Sequence, residues 1–191
     1  MPRANAAAEQ STPLEADWIA AAREMLIEGG ISAVEINPLA ARLGVTRGGF
    51  YWRFKNRQDL LDHLLADWDA TNNLSLIKAA HPPGTPLERL QRLIFLWIDE
   101  IGFSPALDTA VRQWACVDKQ VEKKVRKADE LRIEAITQIF LDANKPPEEA
   151  LVRGRVVYYH QIGYFTLGVR ETRVRRLGLM PLYNQILANL D

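Results

Sequence analysis

The stretch that decides the fold runs Asn37-Pro38-Leu39-Ala40-Ala41-Arg42-Leu43-Gly44-Val45-Thr46-Arg47-Gly48-Gly49-Phe50-Tyr51-Trp52-Arg53. Asn37-Pro38 opens a short helix, because a proline at the first helical position sacrifices no hydrogen bond. Leu39, Ala40 and Leu43 give that helix an apolar face, and Gly44 closes it in the left-handed conformation that glycine tolerates. Thr46 is the expected N-cap of a second short helix through Trp52. Two short helices crossing through a glycine turn have the arithmetic of a helix-turn-helix, with small Ala40 at the contact and Leu39, Leu43, Val45 and Phe50 packing the corner. The second helix would project Thr46, Arg47, Gly48, Gly49, Tyr51 and Arg53 outward, and a DNA major groove is wide enough to take it. Gly48 and Gly49 each cost roughly 1 kcal/mol relative to alanine in a helix. A close approach of bare backbone to DNA is one account of them; a frayed first turn is the other.

Working outward, Trp18, Ala22, Met25 and Leu26 recur at helical spacing and stop at Gly29-Gly30, giving a first long helix that completes a small core. Downstream, Asn56 is placed to cap a fourth helix, with Asp59 as an imperfect capping box and Leu60, Leu61, Leu64, Leu65 and Trp68 on its apolar face. From Arg42 to Gln58 every charged residue is basic: Arg42, Arg47, Arg53, Lys55 and Arg57. The flanks are acidic, from Glu15 to Glu35 before the block and Asp59 to Asp69 after it. The block reads either as a positive patch for phosphates, with Lys55 and Arg57 at the start of the fourth helix, or as a solvated basic loop.

The whole chain of 191 residues carries 24 basic and 24 acidic side chains, so a nonspecific polycationic nucleic-acid binder is excluded. Hydrophobic residues at 48% and charged residues at 25% argue against global disorder. The single Cys116 excludes an internal disulfide framework and fits a reducing, cytoplasmic setting. The polar arm at residues 1–13 has no apolar signal core, and no run of apolar residues is long enough for a membrane span.

Trp18 to Trp68 resembles the N-terminal domain of TetR-family transcriptional regulators. The residues that carry the resemblance are Ala21-Ala22 and Met25-Leu26 before Gly30, Leu39-Ala40, the run from Leu43 to Lys55, and Leu60-Leu61. The resemblance implies that Arg47 and Gly48 read bases. It implies that Thr46, Gly49, Tyr51, Arg53, Lys55 and Arg57 touch bases or phosphates, and that Asn37 makes a polar DNA contact at the start of the second helix. Glu35 departs from the pattern, since a carboxylate repels phosphate where the family has a hydroxyl; it is expected to cap the helix instead.

The rest of the chain resembles the family only in length and helical character. His81-Pro82-Pro83-Gly84 and Lys145-Pro146-Pro147 are breaks, and helices are predicted over 86–102, 104–117, 118–144, 147–170 and 172–190. The segment Leu151 to Val169 is apolar nearly all round, so one side should face its own domain and the other a second copy. With the last helix it makes a candidate four-helix dimer interface of Val152, Val156, Tyr159, Leu179, Tyr183, Ile186 and Leu187. The aromatic residues between 90 and 170 suggest a cavity for an apolar or aromatic small molecule, against plain core packing for each one. Its candidate lining is Phe95, Trp97, Phe103, Trp114, Tyr159 and Tyr164, with Asp99, Cys116, His160 and Gln161 as polar contacts.

No catalytic motif, metal signature or cofactor motif is present; His63, His81 and His160 are scattered, and Asp129-Glu130 and Glu148-Glu149 read as solvated charge. The expectation is therefore an all-α, nonenzymatic chain of about nine helices. A flexible arm at 1–13 precedes a three-helix helix-turn-helix domain at 14–70 and a ligand-binding and dimerisation domain at 71–191. Its partners would be a double-stranded, palindromic DNA operator, a second copy and a small-molecule effector, with no membrane and no cofactor. A homodimeric cytoplasmic repressor is the leading reading, and a helical small-molecule sensor or carrier without DNA binding is the alternative.

Overall fold

The computed structural model describes residues 13–189; the arm at 1–13 thus lies almost wholly outside the described residues, as does Leu190. Within them the chain is all-α, with no strand. It divides into two units, one ending at Leu64 and the other beginning at Leu65.

The first unit contains α1 (Glu15–Gly29), α2 (Ile36–Arg42), α3 (Arg47–Tyr51) and the beginning of α4 (Arg57–Trp68). Its core is aromatic at the centre. Trp18 meets Phe50 edge-on at 5.5 Å between ring centroids, and Phe50 lies 5.3 Å from Phe54. Leu26, Leu39, Ala40, Leu60 and Leu64 bury themselves around these rings. Each such side chain contributes about 1.5–3 kcal/mol through removal from water, which lets the five-residue α3 hold a shape it could not hold alone. Gly44, at φ 68°, makes the turn between α2 and α3, and the Val45 N–H donates to the Ala40 carbonyl at 3.0 Å.

Helix starts in this unit differ from the sequence expectation in two places. Thr46 and Glu35 occupy the N-cap positions of α3 and α2, yet neither side chain accepts a capping hydrogen bond. Glu35 is instead drawn to Arg57, 3.3 Å away. At α4 the expected cap forms: Asn56 Oδ1 accepts from the Asp59 N–H at 3.0 Å. Asp59 Oδ2 in turn accepts from the Lys55 N–H at 2.9 Å.

The second unit contains the end of α4, a π-helical turn (Asp69–Asn73), α5 (Leu74–Ala80), α6 (Pro86–Asp99) and α7 (Pro105–Ala115). It continues with α8 (Lys119–Asp142), α9 (Pro147–Thr166), α10 (Arg173–Tyr183) and a second π-helical turn (Asn184–Ala188). Because α4, the first π turn and α5 form one unbroken helical path, the described residues hold nine helical stretches. Helix α6 opens on a capping box, with the Glu88 N–H donating to Thr85 Oγ1 at 3.3 Å and the Thr85 N–H to Glu88 Oε2 at 2.7 Å. Helices α9 and α10 end short of the predicted 170 and 190; Gly168, at φ 62°, follows the end of α9, and Pro181 inside α10 precedes the change to π geometry.

Helices α8 and α9 approach closely at Gly154. A Cβ there would stand 2.5 Å from Thr137 Oγ1 and 3.0 Å from the Thr137 backbone nitrogen. Leu90, Leu93, Trp97, Ile136, Ile139, Phe140 and Tyr158 form the surrounding apolar core.

This unit also buries charge. Asp108 is 2% exposed and Arg132 is fully buried, and they pair at 3.0 Å. The Trp68 indole N–H donates to Asp108 Oδ1 at 2.9 Å, and the Arg132 guanidinium lies over the Trp68 ring. Arg112 donates to Asp108 and, at 2.6 Å, to Asp129, while the Tyr158 hydroxyl donates to Asp129 at 2.6 Å. Burial alone would raise the Asp108 carboxyl, but the charges of Arg132 and Arg112 outweigh it and hold the group below the ordinary carboxylate range. The expectation of solvated charge at Asp129 is thus corrected: it anchors Arg112 and Tyr158, joining α7, α8 and α9.

Candidate nucleic-acid interface and ligand cavity

In the first unit, α3 and its flanks carry the exposed cations. Thr46, Arg47, Gly48, Tyr51, Arg53 and Lys55 are exposed, Gly49 is half-buried, and Asn37 is exposed at the start of α2. Arg47 Nη2 donates to the Tyr51 hydroxyl at 2.9 Å, and its guanidinium stands 5.6 Å from the Tyr51 ring centroid. One helical turn therefore presents a guanidinium already aligned along an aromatic ring, with its remaining N–H groups free to meet acceptors. Trp52, absent from the sequence-derived set, is 87% exposed beside it.

The two glycines have no packing reason to be glycine. A Cβ at Gly48 would meet nothing closer than Thr46 Oγ1 at 3.6 Å, and one at Gly49 nothing closer than 3.8 Å. Neither adopts a positive φ.

Two of the five basic residues are engaged within the unit. Arg57 donates through Nε to the Val34 carbonyl at 2.6 Å and through Nη2 to the Ile31 carbonyl at 2.7 Å, with Glu35 beside it. Its guanidinium tethers the α1–α2 turn to the start of α4, so it differs from the other eight sequence-derived positions, which leave their polar groups or backbone accessible. Arg42 is held by Glu28 through two hydrogen bonds of 2.9 and 2.7 Å. Arg47, Arg53 and Lys55 remain without an acidic partner among the described residues.

The second unit contains a mostly apolar cavity of about 70 Å³ between α6, α9, α10 and the π turn that follows. Of the residues expected to line it, Trp97, His160 and Tyr164 do, as does Gln161. The others lie elsewhere. Phe103 stacks on Phe165 at 5.8 Å, and Trp114 is buried on α7. Phe95 and Tyr159 face solvent, and Cys116 is exposed with its thiol against the Arg112 carbonyl. Asp99 accepts from Arg173 at 2.7 Å. These residues share an aromatic or polar character with the lining but sit on the wrong face or on α7, which does not reach the cavity.

The lining that sequence reasoning missed comes from α6 and α9, with Leu90, Ile94, Ile98 and Val157, from Glu171, and from α10 and beyond, with Arg176, Met180, Tyr183, Asn184 and Leu187. Tyr183 and Leu187 were expected at a dimer interface. Both line the cavity, with the Tyr183 ring 4.8 Å from His160 and Tyr183 still 39% exposed. Leu179 is half-buried. Val152, Val156, Tyr159 and Ile186 remain an exposed apolar set, the first three at one-face spacing on α9. Burial and the nearby Arg176 charge hold the His160 imidazole below its ordinary value.

No group of three or more His, Cys, Asp or Glu among the described residues could hold a metal ion. No helix among them is long and apolar enough to cross a membrane.

Residues 19–64 match the family described as bacterial regulatory proteins, tetR family. The HTH-type transcriptional regulator AcrR of Shigella flexneri is 31% identical over 77 residues, covering 38% of this chain and 34% of that protein. The chain thus spans about a third of the length of that curated relative. The reduced form of E. coli NemR superposes with a TM-score of 0.68 at 15% identity, covering 92% of this chain and 96% of that one. The ketosteroid transcriptional regulator KstR2 of Mycobacterium tuberculosis gives a TM-score of 0.64 at 16% identity, covering 92% and 94%. At those identities the two structures speak for the fold, over nearly the whole chain.

Proposed function

We propose, from the premise that this chain is a TetR-family transcriptional regulator, that it works as a homodimeric repressor of a palindromic operator, released by a small, largely apolar effector. The observation that carries the DNA reading is the Arg47–Tyr51 pair, held out of the core on α3 with Arg53 and Lys55 beyond it. In a major groove, Arg47 has the donor fork that matches the O6 and N7 acceptors of guanine. Arg53 and Lys55 have the reach and charge for phosphates, which fix register without reading sequence. Gly48 and Gly49 supply bare backbone where the fold itself would accept a side chain, which supports close approach to the duplex. Arg57 belongs to the scaffold that orients α3.

The exposed stripe of Val152, Val156 and Tyr159 on α9, with Ile186, supports pairing with a second copy. A two-fold pair would set its recognition helices about 34–36 Å apart, one turn of DNA. The effector acts by binding one spacing of the pair more tightly than the other, since a ligand with equal affinity for both shifts nothing.

A selection from random duplexes tests this reading. The wild-type chain should enrich an inverted repeat with half-site centres one helical turn, or a multiple of it, apart. Arg47→Ala should relax preference at one position per half-site, at a cost of about 1–3 kcal/mol. Enrichment of no sequence, or of a single unrepeated half-site, would overturn it.

A further inference from the structure

The cavity of the second unit contains a polar group with nothing to bind. Gln161 is 7% exposed, lines the cavity, and its Nε2 has no hydrogen-bond partner. Buried side-chain amides are nearly always paired, so an orphaned one on a residue of a cavity wall points to an absent acceptor. Of the other polar groups of the lining, Arg176, Tyr164 and Glu171 are engaged with one another or with the backbone. Arg176 donates to the Trp97 carbonyl at 3.0 Å and stacks 4.7 Å from the Tyr164 ring centroid, while Glu171 lies 3.3 Å from the Tyr164 hydroxyl. The one guanidinium and the one carboxylate balance in charge, and the remaining walls, including Leu90, Ile94, Val157 and Met180, are apolar.

An anion entering this space would meet Glu171 as well as Arg176, whose charges offset each other. A purely apolar molecule would leave the Gln161 amide as it is, unpaired. A neutral oxygen acceptor on an apolar body satisfies both the walls and the amide. We propose that the ligand of this cavity is a small uncharged carbonyl compound, its oxygen accepting a hydrogen bond from Gln161 Nε2 and its apolar body lying against α6 and α10. The inference rests on the reading of the cavity as the effector site.

Calorimetric titration of the full chain, without DNA, tests it with three probes of similar size: acetophenone, ethylbenzene and benzoate. Acetophenone should bind at least tenfold tighter than either of the others. Gln161→Leu should reduce that preference to near parity, and should melt no lower than wild type because it removes an unpaired buried group. Gln161→Met, closer in length, gives the same comparison if the leucine variant folds poorly. Benzoate binding tightest, acetophenone and ethylbenzene binding alike, no probe binding, or an acetophenone preference that survives both variants would each overturn the proposal. Operator release is read separately: acetophenone bound through Gln161 with the operator still held would overturn the effector role of the cavity and leave its ligand class standing.

Discussion

Arg47 and Arg132 carry the same side chain and are put to opposite use. In the first unit Arg47 stands in solvent, supported only by Tyr51, with no carboxylate to neutralise it. In the second, Arg132 has no exposed surface and is enclosed by Asp108, Asn73, Tyr158 and Trp68. The first unit builds its core almost entirely from apolar contacts and keeps charge at its surface for another molecule. The second takes charge into its interior and balances it there, where removal from water makes each pairing obligatory. A cation is informative about binding only after its internal partners are known, and by that measure Arg57 sides with the second unit although it lies in the first.

The largest effect should come from breaking the buried arrangement. Arg132→Met leaves Asp108 short of a partner in the interior and should cost about 3–5 kcal/mol in denaturant unfolding. Arg47→Ala, on the surface, should stay within about 0.5 kcal/mol of wild type in the same measurement. Equal losses would erase the contrast between the units. Adding Asp108→Leu to Arg132→Met should recover part of the loss, because the uncompensated carboxylate then disappears.

A smaller effect is expected at the α8–α9 contact. Gly154→Ala places a Cβ against the Thr137 hydroxyl and backbone, and should destabilise by about 1–3 kcal/mol through overpacking. Alanine raises helix propensity by roughly 1 kcal/mol in an open position, so a net gain in melting temperature would show that these helices are free to separate.

The smallest test separates two neighbours. Lys55→Ala should leave folding unchanged and flatten the slope of log affinity against log salt by about one for each phosphate no longer neutralised. Arg57→Ala should leave the salt slope alone and lower stability by about 1–3 kcal/mol, since it uncovers the Ile31 and Val34 carbonyls. A slope change for Arg57 instead would return it to the phosphate-binding set.

The same division explains what the sequence disclosed. The helix-turn-helix was legible because its signals are local: Pro38 falls in the first turn of a helix that begins two residues earlier at Ile36, Gly44 turns the chain, and the apolar residues from Leu39 to Phe50 lie within one short window. The internal role of Arg57 was not legible because its acceptors are backbone carbonyls 23 and 26 residues upstream, which have no side-chain signature. Asp129 looked solvated for a similar reason, as its partners Arg112 and Tyr158 lie 17 and 29 residues away on other helices. The cavity was only partly legible. Aromatic and polar character picked out Trp97, His160 and Tyr164, but which side of α10 turns inward depends on how α6, α9 and α10 close together. Tyr183 and Leu187 were therefore assigned to the outside.

The inward turn of Arg57 has a mechanical consequence. A planar fork gripping two carbonyls acts as a clasp, and lysine, with a single point of charge, could not grip both in the same geometry. The loop before α2 and the first turn of α4 therefore move as one stiff piece, so the tilt of α2 and the heading of α4 cannot be adjusted independently while the clasp is shut.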